Sequence, residues 1–269
     1  MIAFPPAKIN LGLNIIAKRK DGFHAIESVF YPISWTDVIE VIKTENQEFK
    51  FNSSGLQIPG NSDNNLIVKA CKLLQKDFVL AGLSFHLHKI LPMGAGLGGG
   101  SSDGASALML INKVCKLGLN KEKLKYYALE LGSDCPFFID EKPMFVSGRG
   151  EHLEEINVDL KNWYIVVVMP PFSVGTADAY RWIQPKAPEI SIKAIISSSP
   201  ENWKNNLTND FEEEVIKRHA LVGELKAELY QQGAVYASMS GSGASVYGLF
   251  KSKPESPLFT NMNEWCGIL

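Results

Sequence analysis

The sequence predicts an α+β protein in which helices and strands pack in two layers. Three observations lead to this fold class. The chain of 269 residues is 45% hydrophobic and 21% charged, with a formal net charge of −2, which is typical of a globular protein. Segments with the two-residue alternation of strands occur between segments with helical periodicity. These segments do not alternate strictly along the chain, as they would in a parallel α/β fold.

The composition also excludes several classes of protein. Disorder requires low hydrophobicity and high net charge, and a general nucleic-acid binder would show an excess of Lys and Arg. The apolar run Tyr164–Met169 is far below the roughly 18 residues that a membrane helix needs. The N-terminus lacks the pattern of a secretory signal, and the four scattered cysteines (Cys71, Cys115, Cys135 and Cys266) contain no CxxC pair. We therefore expect a cytoplasmic protein with reduced thiols and no membrane or nucleic-acid partner.

The first half of the chain predicts two strands and three helices. Residues 37–43 and 83–90 alternate apolar and polar side chains, as half-buried strands do. Between them, residues 65–78 predict a helix with apolar side chains on one face (Leu66, Ala70, Leu73 and Leu74). A second helix is expected over Ala105–Leu117, with Ser101, Ser102 or Asp103 as its capping residue. A third is expected over Lys121–Leu131, ending at Gly132.

The second half predicts three further strands and one long helix. Met144–Val146 is a short strand candidate before the turn-rich sequence SGRGE, and Tyr164–Met169 reads as a fully buried strand. A helix is expected over Phe211–Gln231, capped by Asn209 or Asp210 and followed by Gly233. Ser245–Phe250 predicts a strand.

Polar residues 152–162 mark the most plausible boundary between two domains. We expect an N-terminal domain over residues 1–155 and a C-terminal domain over residues 156–269.

The glycine-dense segment Gly94–Gly100 carries the clearest functional signal. Five of its seven residues are glycine, and it runs directly into the helix expected near Ser102. Successive backbone N–H groups in such a loop form a concave anion site, and the helix N-terminus adds positive charge. Because glycine loses much conformational entropy on ordering, this density needs a reason, and close approach of a di- or triphosphate supplies one.

Other phosphate-binding motifs fit this segment poorly. Gly94, Gly96 and Gly99 satisfy the dinucleotide-binding pattern GxGxxG. That pattern requires a second buried strand and an acidic residue about 20 residues later, whereas residues 120–131 form a charged amphipathic helix. No Lys follows the glycines as in a Walker A loop, and the HRD segment of protein kinases is absent.

Three segments together resemble the GHMP small-molecule kinases. Pro92–Ala105 resembles the central phosphate-binding motif of that family, Pro5–Ile15 (PPAKINLGLNI) its N-terminal motif and Ser238–Phe250 (SMSGSGASVYGLF) its C-terminal glycine motif. The resemblance implies a two-lobed α+β fold with a ribosomal-S5-like N-terminal lobe and a ferredoxin-like C-terminal lobe. It also implies an active site in the cleft between the lobes.

Shorter motifs narrow the resemblance to one branch of the family. They are KDGFH (20–24), NLIVKA (65–70), GSDCPFF (132–138), SGRGE (147–151) and NDFE (209–212). That branch phosphorylates a hydroxyl of a cytidine-diphosphate-linked sugar alcohol in non-mevalonate isoprenoid synthesis. The alternatives are a family member acting on another small alcohol such as homoserine or mevalonate, an inactive nucleotide-binding regulator, or a nicotinamide oxidoreductase. The motif KDGFH and Tyr180 favour the branch that acts on the cytidine-linked sugar alcohol over these alternatives, because only a cytidine substrate would use a base-stacking pocket.

The resemblance assigns catalytic roles to Lys8 and Asp134, which would bracket the attacking hydroxyl. The ammonium would stabilise transferred charge, and the carboxylate would accept the hydroxyl proton or orient the attack. ATP is the implied phosphoryl donor, and Mg²⁺ is expected with it although no dedicated metal cluster is visible. The residues implied in ATP binding are Pro92, Met93, Gly94, Ala95, Gly96, Leu97, Gly98, Gly99, Gly100, Ser101 and Ser102, with Asn65 and Lys89 on the adenine side.

The acceptor side would use a separate set of residues. Asn10 would bind the methylerythritol end near Lys8, while Phe23, His24, Thr176 and Tyr180 would form the cytidine pocket. The family usually has Tyr at the position of Phe23 and often Phe at that of Tyr180. Ser240–Gly243 is expected to pack beside the phosphate loop. The partners expected are therefore two small molecules, with the chain acting as a monomer or weak homodimer.

Overall fold

The computed structural model describes residues 1–46, 48–255, 257–259 and 261–269, and within them helices and strands are mixed as the α+β class requires. The strands are β1 (Ile2–Ala3), β2 (Pro6–Lys18), β3 (His24–Thr36), β4 (Val38–Thr44), β5 (Phe49–Gly55), β6 (Gly82–Lys89), β7 (Met144–Gly148), β8 (His152–Glu155), β9 (Tyr164–Met169), β10 (Tyr236–Met239), β11 (Val246–Phe250) and β12 (Asn263–Ile268). The helices are α1 (Leu66–Leu74), α2 (Gly99–Val114), α3 (Lys121–Leu131), α4 (Phe137–Asp140), α5 (Thr176–Trp182), α6 (Ile192–Ile196), α7 (Asp210–Arg218) and α8 (Ala220–Gln231). Two 3₁₀ turns cover Ser62–Asn64 and Pro200–Asn202.

The chain divides into two compact units that interleave along the sequence. Unit 1 comprises residues 1–7, 35–93 and 98–141, and unit 2 comprises residues 8–34, 94–97 and 142–269. The glycine-dense segment is shared between them, since residues 94–97 belong to unit 2 and the residues on either side to unit 1. The expected domains 1–155 and 156–269 stay a prediction.

Unit 1 is a four-stranded sheet with helices. The strand order is β1-β4-β6-β5, in which β4 and β6 are antiparallel and β5 and β6 are parallel. The alternation in β6 buries Leu83, Phe85 and Leu87 and exposes His86 and His88, which explains the sequence pattern. Helix α2 packs against β4 and against α1. Strands and helices therefore bury their apolar faces in one core.

Unit 2 contains two four-stranded sheets. Their strand orders are β2-β3-β7-β8 and β10-β11-β9-β12. Strand β9 lies between β11 and β12 and is antiparallel to both, and the side chains of residues 165–169 are buried. The buried strand expected at Tyr164–Met169 is thus confirmed. Its core cluster includes Leu13 and Ile15 from β2, Val166 and Val168 from β9, and side chains of α7 and α8.

The prediction of a single helix over residues 211–231 is wrong. Two helices, α7 and α8, meet at His219, whose backbone leaves the helical region at φ −138° and ψ 79°. The His219 ring stacks on Phe172 with centroids 4.4 Å apart. This contact across 47 residues of sequence is invisible to a periodicity argument. The expected cap is confirmed, because the Asn209 side chain accepts a hydrogen bond from the N–H of Phe211.

The predicted N-terminal cap of the second helix is also wrong. Helix α2 begins at Gly99, and its N-cap is Gly98 in a left-handed conformation with φ 71° and no side-chain cap bond. Ser102 and Asp103 lie inside the helix and are buried. The glycine conformations of the preceding loop determine where the helix starts, so capping propensity is overridden. The third helix has the expected bounds and ends at Gly132.

Several elements have no counterpart in the sequence interpretation. The long strand β3 and the short strands β5, β8, β10 and β12 lack a continuous apolar–polar alternation, and helices α5 and α6 are too short for a periodicity. Throughout the described ranges, no helix has both the length and the apolar composition needed to cross a bilayer.

Candidate active site

The glycine-dense segment forms a turn whose backbone conformation favours glycine at three positions. Gly94, Gly96 and Gly98 have φ values of 69°, 76° and 71°, in the region that L side chains rarely adopt. A Cβ on Gly100 would meet no atom within 4 Å. The backbone here is therefore strongly curved and has open space beside it, as a phosphate-binding turn requires.

Helix α2 starts directly after this turn. Its first helical hydrogen bond runs from the N–H of Ser102 to the carbonyl of Gly98 (3.0 Å). The N–H groups of residues 99–101 precede that bond and are thus available to an anion, and the helix adds partial positive charge. The hydroxyl oxygen of Ser102 is buried and has no hydrogen-bond partner within the described chain. An unpartnered polar atom at this place fits a ligand-binding role.

Within unit 2, the C-terminal glycine motif packs on the glycine turn. Ser240 donates its hydroxyl hydrogen bond to the carbonyl of Gly96 (3.0 Å), and Ser245 donates to the carbonyl of Ala95. A Cβ on Gly96 would lie 2.0 Å from the carbonyl oxygen of Ser240. The expectation that this motif packs beside the loop is confirmed, and the close approach explains why glycine occurs at position 96.

Lys8 is buried against the same turn. The residue is only 3% exposed. Its ammonium donates hydrogen bonds to Asn10 Oδ1 (2.5 Å) and to the carbonyl oxygen of Gly96 (3.1 Å). The ammonium also lies 4.6 Å from the centre of the Phe30 ring. The structure therefore brings together two of the predicted site residues, Lys8 and Asn10, and places them beside a residue of the predicted ATP loop.

A chain of hydrogen bonds fixes the orientation of the Asn10 amide. Ser28 donates its hydroxyl to the carbonyl of Gly12 (2.6 Å), so its oxygen accepts from Asn10 Nδ2 (2.8 Å). Asn10 Oδ1 consequently faces Lys8. The backbone of Asn10 is held by Ser240 and by the hydroxyl of Tyr247, which donates to its carbonyl (2.7 Å). Sequence reasoning missed Ser28 and Tyr247, because their role depends on contacts between distant segments.

Asp134 lies in unit 1, in the turn between α3 and α4. It is half-buried, and the residues that follow it anchor the turn in the core: Cys135, Phe137 and Phe138 are fully buried. Burial raises the pKa of the Cys135 thiol to about 12, so this cysteine is an inert packing residue. The pairing of Asp134 with Lys8 across an acceptor hydroxyl stays a prediction.

Lys89 lies at the end of β6 and is 2% exposed. Its ammonium donates to Asp37 Oδ2 (2.5 Å) and Asp103 Oδ2 (2.7 Å), so the three side chains form a buried ion triad within unit 1. Burial raises the pKa of Asp103 to about 7, a rise that Lys89 opposes and Asp37 increases. A Cβ on Gly99 would be 3.2 Å from Lys89 Nζ, so the triad lies directly beneath the start of α2.

Asn65 precedes α1 and caps it, since its side-chain oxygen accepts a hydrogen bond from the N–H of Ile67 (2.9 Å). This bond accounts for an asparagine at that position whether or not a nucleotide binds there. The contacts of Asn65 and Lys89 with adenine stay predictions.

The predicted cytidine residues lie in unit 2, and two of their rings touch. His24 and Tyr180 stack with centroids 4.6 Å apart and an angle of 18° between planes, so no base fits between them as they stand. Burial lowers the pKa of His24, and Lys18 lowers it further, which favours the neutral imidazole. Tyr180 also meets Phe211 edge to face at 4.9 Å.

Phe23 stands in the turn before β3 and is 50% exposed. Asp21 accepts a hydrogen bond from the N–H of Phe23 (3.1 Å), and the Arg149 guanidinium lies 5.0 Å from the centre of its ring. One large aromatic face is therefore held at the surface by its neighbours. Sequence reasoning missed Arg149, although it lies in the SGRGE motif.

Thr176 is exposed at the start of α5, one helical turn before Tyr180, as the sequence predicts. Its hydroxyl lies 3.1 Å from that of Ser242, in the C-terminal glycine motif. Throughout the part of the chain that is described, no group of three or more His, Cys, Asp or Glu side chains is arranged to hold a metal ion.

Comparison with protein families identifies the class to which this fold and site belong. Residues 65–142 match the GHMP kinases N terminal domain, and residues 191–264 match the GHMP kinases C terminal domain. The chain belongs to the GHMP kinase family. It is a small-molecule kinase with an α+β two-domain fold, and membership of this kinase family implies that ATP is its co-substrate.

Similarity to individual proteins points to one kind of kinase within this family. The chain is 48% identical to the 4-diphosphocytidyl-2-C-methyl-D-erythritol kinase of Bacteroides thetaiotaomicron, over 97% of each chain. It is 38% identical to the same kinase of Porphyromonas gingivalis, over all of both chains. A crystal structure of 4-(cytidine 5'-diphospho)-2C-methyl-D-erythritol kinase is similar with a TM-score of 0.85 and 28% identity, covering 99% of this chain and 98% of that one. The mevalonate kinase of Methanococcus jannaschii shares the fold, with a TM-score of 0.73, 15% identity and coverage of 100% and 98%.

Proposed function

We propose that this kinase transfers the γ-phosphoryl group of ATP to the 2-hydroxyl of 4-diphosphocytidyl-2-C-methyl-D-erythritol, giving the 2-phosphate and ADP. The reaction would serve the synthesis of isoprenoid precursors by the non-mevalonate route. The observation that carries this proposal is 48% identity over 97% of both chains to a kinase named for that substrate. The exposed Phe23 ring and the His24–Tyr180 pair support it, because they offer flat apolar faces for a base.

In the proposed mechanism, the backbone of residues 93–102 binds the ATP phosphates, and the N–H groups of residues 99–101 are open to them. Lys8 contributes positive charge, which stabilises the transferred phosphoryl group and the attacking oxygen. Asn10 orients the acceptor through an amide whose direction Ser28 fixes. Asp134 accepts the proton of the hydroxyl or aligns it for attack.

Mg²⁺ is part of this proposal, since it neutralises charge on the β and γ phosphates when bound. The buried and unpartnered hydroxyl of Ser102 is a suitable oxygen ligand at the start of α2. The remaining positions would be filled by ATP oxygens and water. The cytoplasmic location and the monomeric or weakly dimeric state stay predictions.

The substrate assignment is tested by measuring ATP consumption with three acceptors at equal concentration. We expect turnover with the cytidylyl substrate and little with homoserine or mevalonate. Strong turnover of homoserine or mevalonate alone would contradict the substrate assignment and leave the kinase class intact.

A further inference from the structure

The motif NDFE (209–212) has no part in the proposed mechanism, although three of its four side chains make hydrogen bonds within unit 2. It stands at the start of α7 and bonds to two strands, each of which is the outermost strand of a four-stranded sheet. These are β2, which carries Lys8 and Asn10, and β10, which leads into the turn of Ser240. An outermost strand has backbone N–H and C=O groups that no neighbouring strand pairs, and buried ones need another partner.

On the side of β2, Asp210 supplies these partners. Its Oδ2 accepts a hydrogen bond from the buried N–H of Ile15 (2.7 Å), and its Oδ1 accepts one from the side-chain amide of Asn14 (3.1 Å). Just before α7, the carbonyl of Thr208 accepts from the N–H of Leu13 (2.9 Å), and the chain runs parallel to β2 there. This stretch of β2 is therefore held by the start of α7.

On the side of β10, Glu212 and Asn209 supply the partners. Glu212 is only 9% exposed, and its Oε2 accepts a hydrogen bond from the N–H of Met239 (2.8 Å). Asn209 Nδ2 donates to the carbonyls of Met239 and Gly241 (both 2.8 Å). The backbone on either side of Ser240 is thus bonded to the same helix start that holds β2. We call the side chains of Asn209, Asp210 and Glu212 the NDFE bridge.

The two strands that the NDFE bridge joins determine where the Lys8 ammonium lies. The ammonium donates to Asn10 Oδ1 on β2 (2.5 Å) and to the carbonyl of Gly96 (3.1 Å). Ser240, in the turn after β10, donates to the same Gly96 carbonyl (3.0 Å) and accepts from the N–H of Asn10 (3.3 Å). The position of Lys8 therefore depends on the separation between β2 and the turn after β10.

We propose that Asp210 and Glu212, together with Asn209, are positioning residues for phosphoryl transfer. The NDFE bridge sets the separation between β2 and the turn after β10, and it thereby places the Lys8 ammonium at the acceptor hydroxyl. Its effect on catalysis passes through Lys8 and depends on hydrogen bonds, not on a bond of its own to ATP or to the acceptor. The inference rests on the proposed catalytic role of Lys8, and it holds for any acceptor that Lys8 serves.

The first test compares kcat and KM of Asp210→Ala and Glu212→Ala with those of the parent. Each variant should lose at least about tenfold in kcat, because a misplacement of about 1 Å can cost about a hundredfold. KM for ATP should stay within about twofold, since the N–H groups of residues 99–101 belong to unit 1 and the NDFE bridge to unit 2. Glu214→Ala is the matched control, because this carboxylate of α7 pairs with Arg218 and should keep parental kcat. Parental kcat in either bridge variant overturns the inference.

Asp210→Asn separates hydrogen bonding from charge. Its side-chain oxygen can still accept from the N–H of Ile15, and Asn14 can turn its amide to accept from the new NH₂ group. We expect Asp210→Asn to recover most of the kcat that Asp210→Ala loses. In a Lys8→Ala background, Asp210→Ala should lower kcat by no more than about twofold, because the two changes act on one group. Equal losses in Asp210→Asn and Asp210→Ala, or a further tenfold loss in the Lys8→Ala background, on the order of the effect in the parent, overturn the inference.

A measurement without any ligand separates this inference from the substrate assignment. The nitrogen NMR signal of the Lys8 ammonium is assigned by its loss in Lys8→Ala. This signal should shift in Asp210→Ala and in Glu212→Ala, and it should stay in place in the control Glu214→Ala. An unchanged signal in both bridge variants overturns the inference, and Glu212→Ala carries the comparison if Asp210→Ala does not fold. A shifted signal in an enzyme that ignores the cytidylyl substrate would instead refute only the proposed substrate.

Discussion

Lys8 shows how neighbouring side chains can hold a predicted catalytic group in one place. Its ammonium is clamped between Asn10 and the carbonyl of Gly96, and the chain from Asn10 through Ser28 to Gly12 is fully hydrogen-bonded. Because these hydrogen bonds fix its position, the ammonium would need little reorganisation during phosphoryl transfer.

Replacing Lys8 or Asp134 by alanine should lower kcat at least about a hundredfold, because each change removes charge or proton transfer from the reacting hydroxyl. The measurement is steady-state turnover at saturating ATP and acceptor. Lys18→Ala, which removes an exposed lysine from the end of the same strand, should keep parental kcat. Turnover within a few-fold of the parent for either active-site variant would refute its role.

Tyr180 tests the proposed base pocket. Tyr180→Leu removes the ring that stacks on His24, and we expect KM for the cytidylyl acceptor to rise about tenfold, since stacking contributes about 1–3 kcal/mol. KM for ATP should not change. Tyr180→Phe keeps the ring and should restore acceptor binding, and Tyr126→Leu, at an exposed ring of α3, serves as the control. An equal rise in both KM values would point to general disruption of the fold.

Gly96 separates backbone conformation from close packing. Gly96→Ala adds a methyl group 2.0 Å from the carbonyl of Ser240 at a φ of 76°. We expect the free energy of unfolding to fall by more than about 3 kcal/mol, because the variant combines left-handed backbone strain with overpacking. Gly118 has a similar φ of 71°, but a Cβ there would meet open space. Gly118→Ala should therefore lower the free energy of unfolding by only about 1–2 kcal/mol, from backbone strain alone. Urea unfolding of both variants measures the difference, and equal losses would mean that the contact with Ser240 is soft.

At the scale of elements, Asn209 links helix α7 to the C-terminal glycine motif. Its oxygen caps the helix at Phe211, and its Nδ2 donates to the carbonyls of Met239 and Gly241 (both 2.8 Å). One side chain therefore orders the helix and the turn that carries Ser240. This explains an asparagine in the NDFE motif without any contact to substrate.

Asn209→Ala should lower the free energy of unfolding by about 2–4 kcal/mol, because it removes the cap and leaves two buried carbonyls unsatisfied. Asn120→Ala is the matched control, since Asn120 caps α3 by one exposed bond and should cost about 1 kcal/mol. Chemical denaturation monitored by circular dichroism gives both values. Similar losses would show that the carbonyl contacts contribute little.

At the scale of the whole molecule, Asp103 links stability to pH. Its folded pKa of about 7 lies above the ordinary value of 3.8, so the folded state binds this proton more tightly than the unfolded state. The contribution of Asp103 is fully favourable below pH 4 and is lost as pH rises to about 7. We expect the free energy of unfolding of the parent, relative to Asp103→Asn, to fall across that window. A difference that is constant with pH would contradict the raised pKa.

Much of this protein could be predicted from local sequence. The glycine turn was predictable because five glycines at the start of a helix have few other physical explanations, and β6, α3 and β9 were predictable because alternation or periodicity reports burial directly. The family was predictable because its three motifs occur in order. These features depend on residues that are close in sequence.

Tertiary structure alone decided the rest. The break at His219, the start of α2 at Gly99, the Lys8–Asn10–Ser28 chain and the buried ion triad all depend on contacts outside the local pattern, with partners up to 52 residues away. Local propensity is worth tenths of a kcal/mol per residue, whereas burying a charge or a polar group without its partner costs several, so distant contacts prevail where the two disagree. Sequence alone thus determined the class of chemistry, and the packed chain determined the geometry of the side chains around the glycine turn.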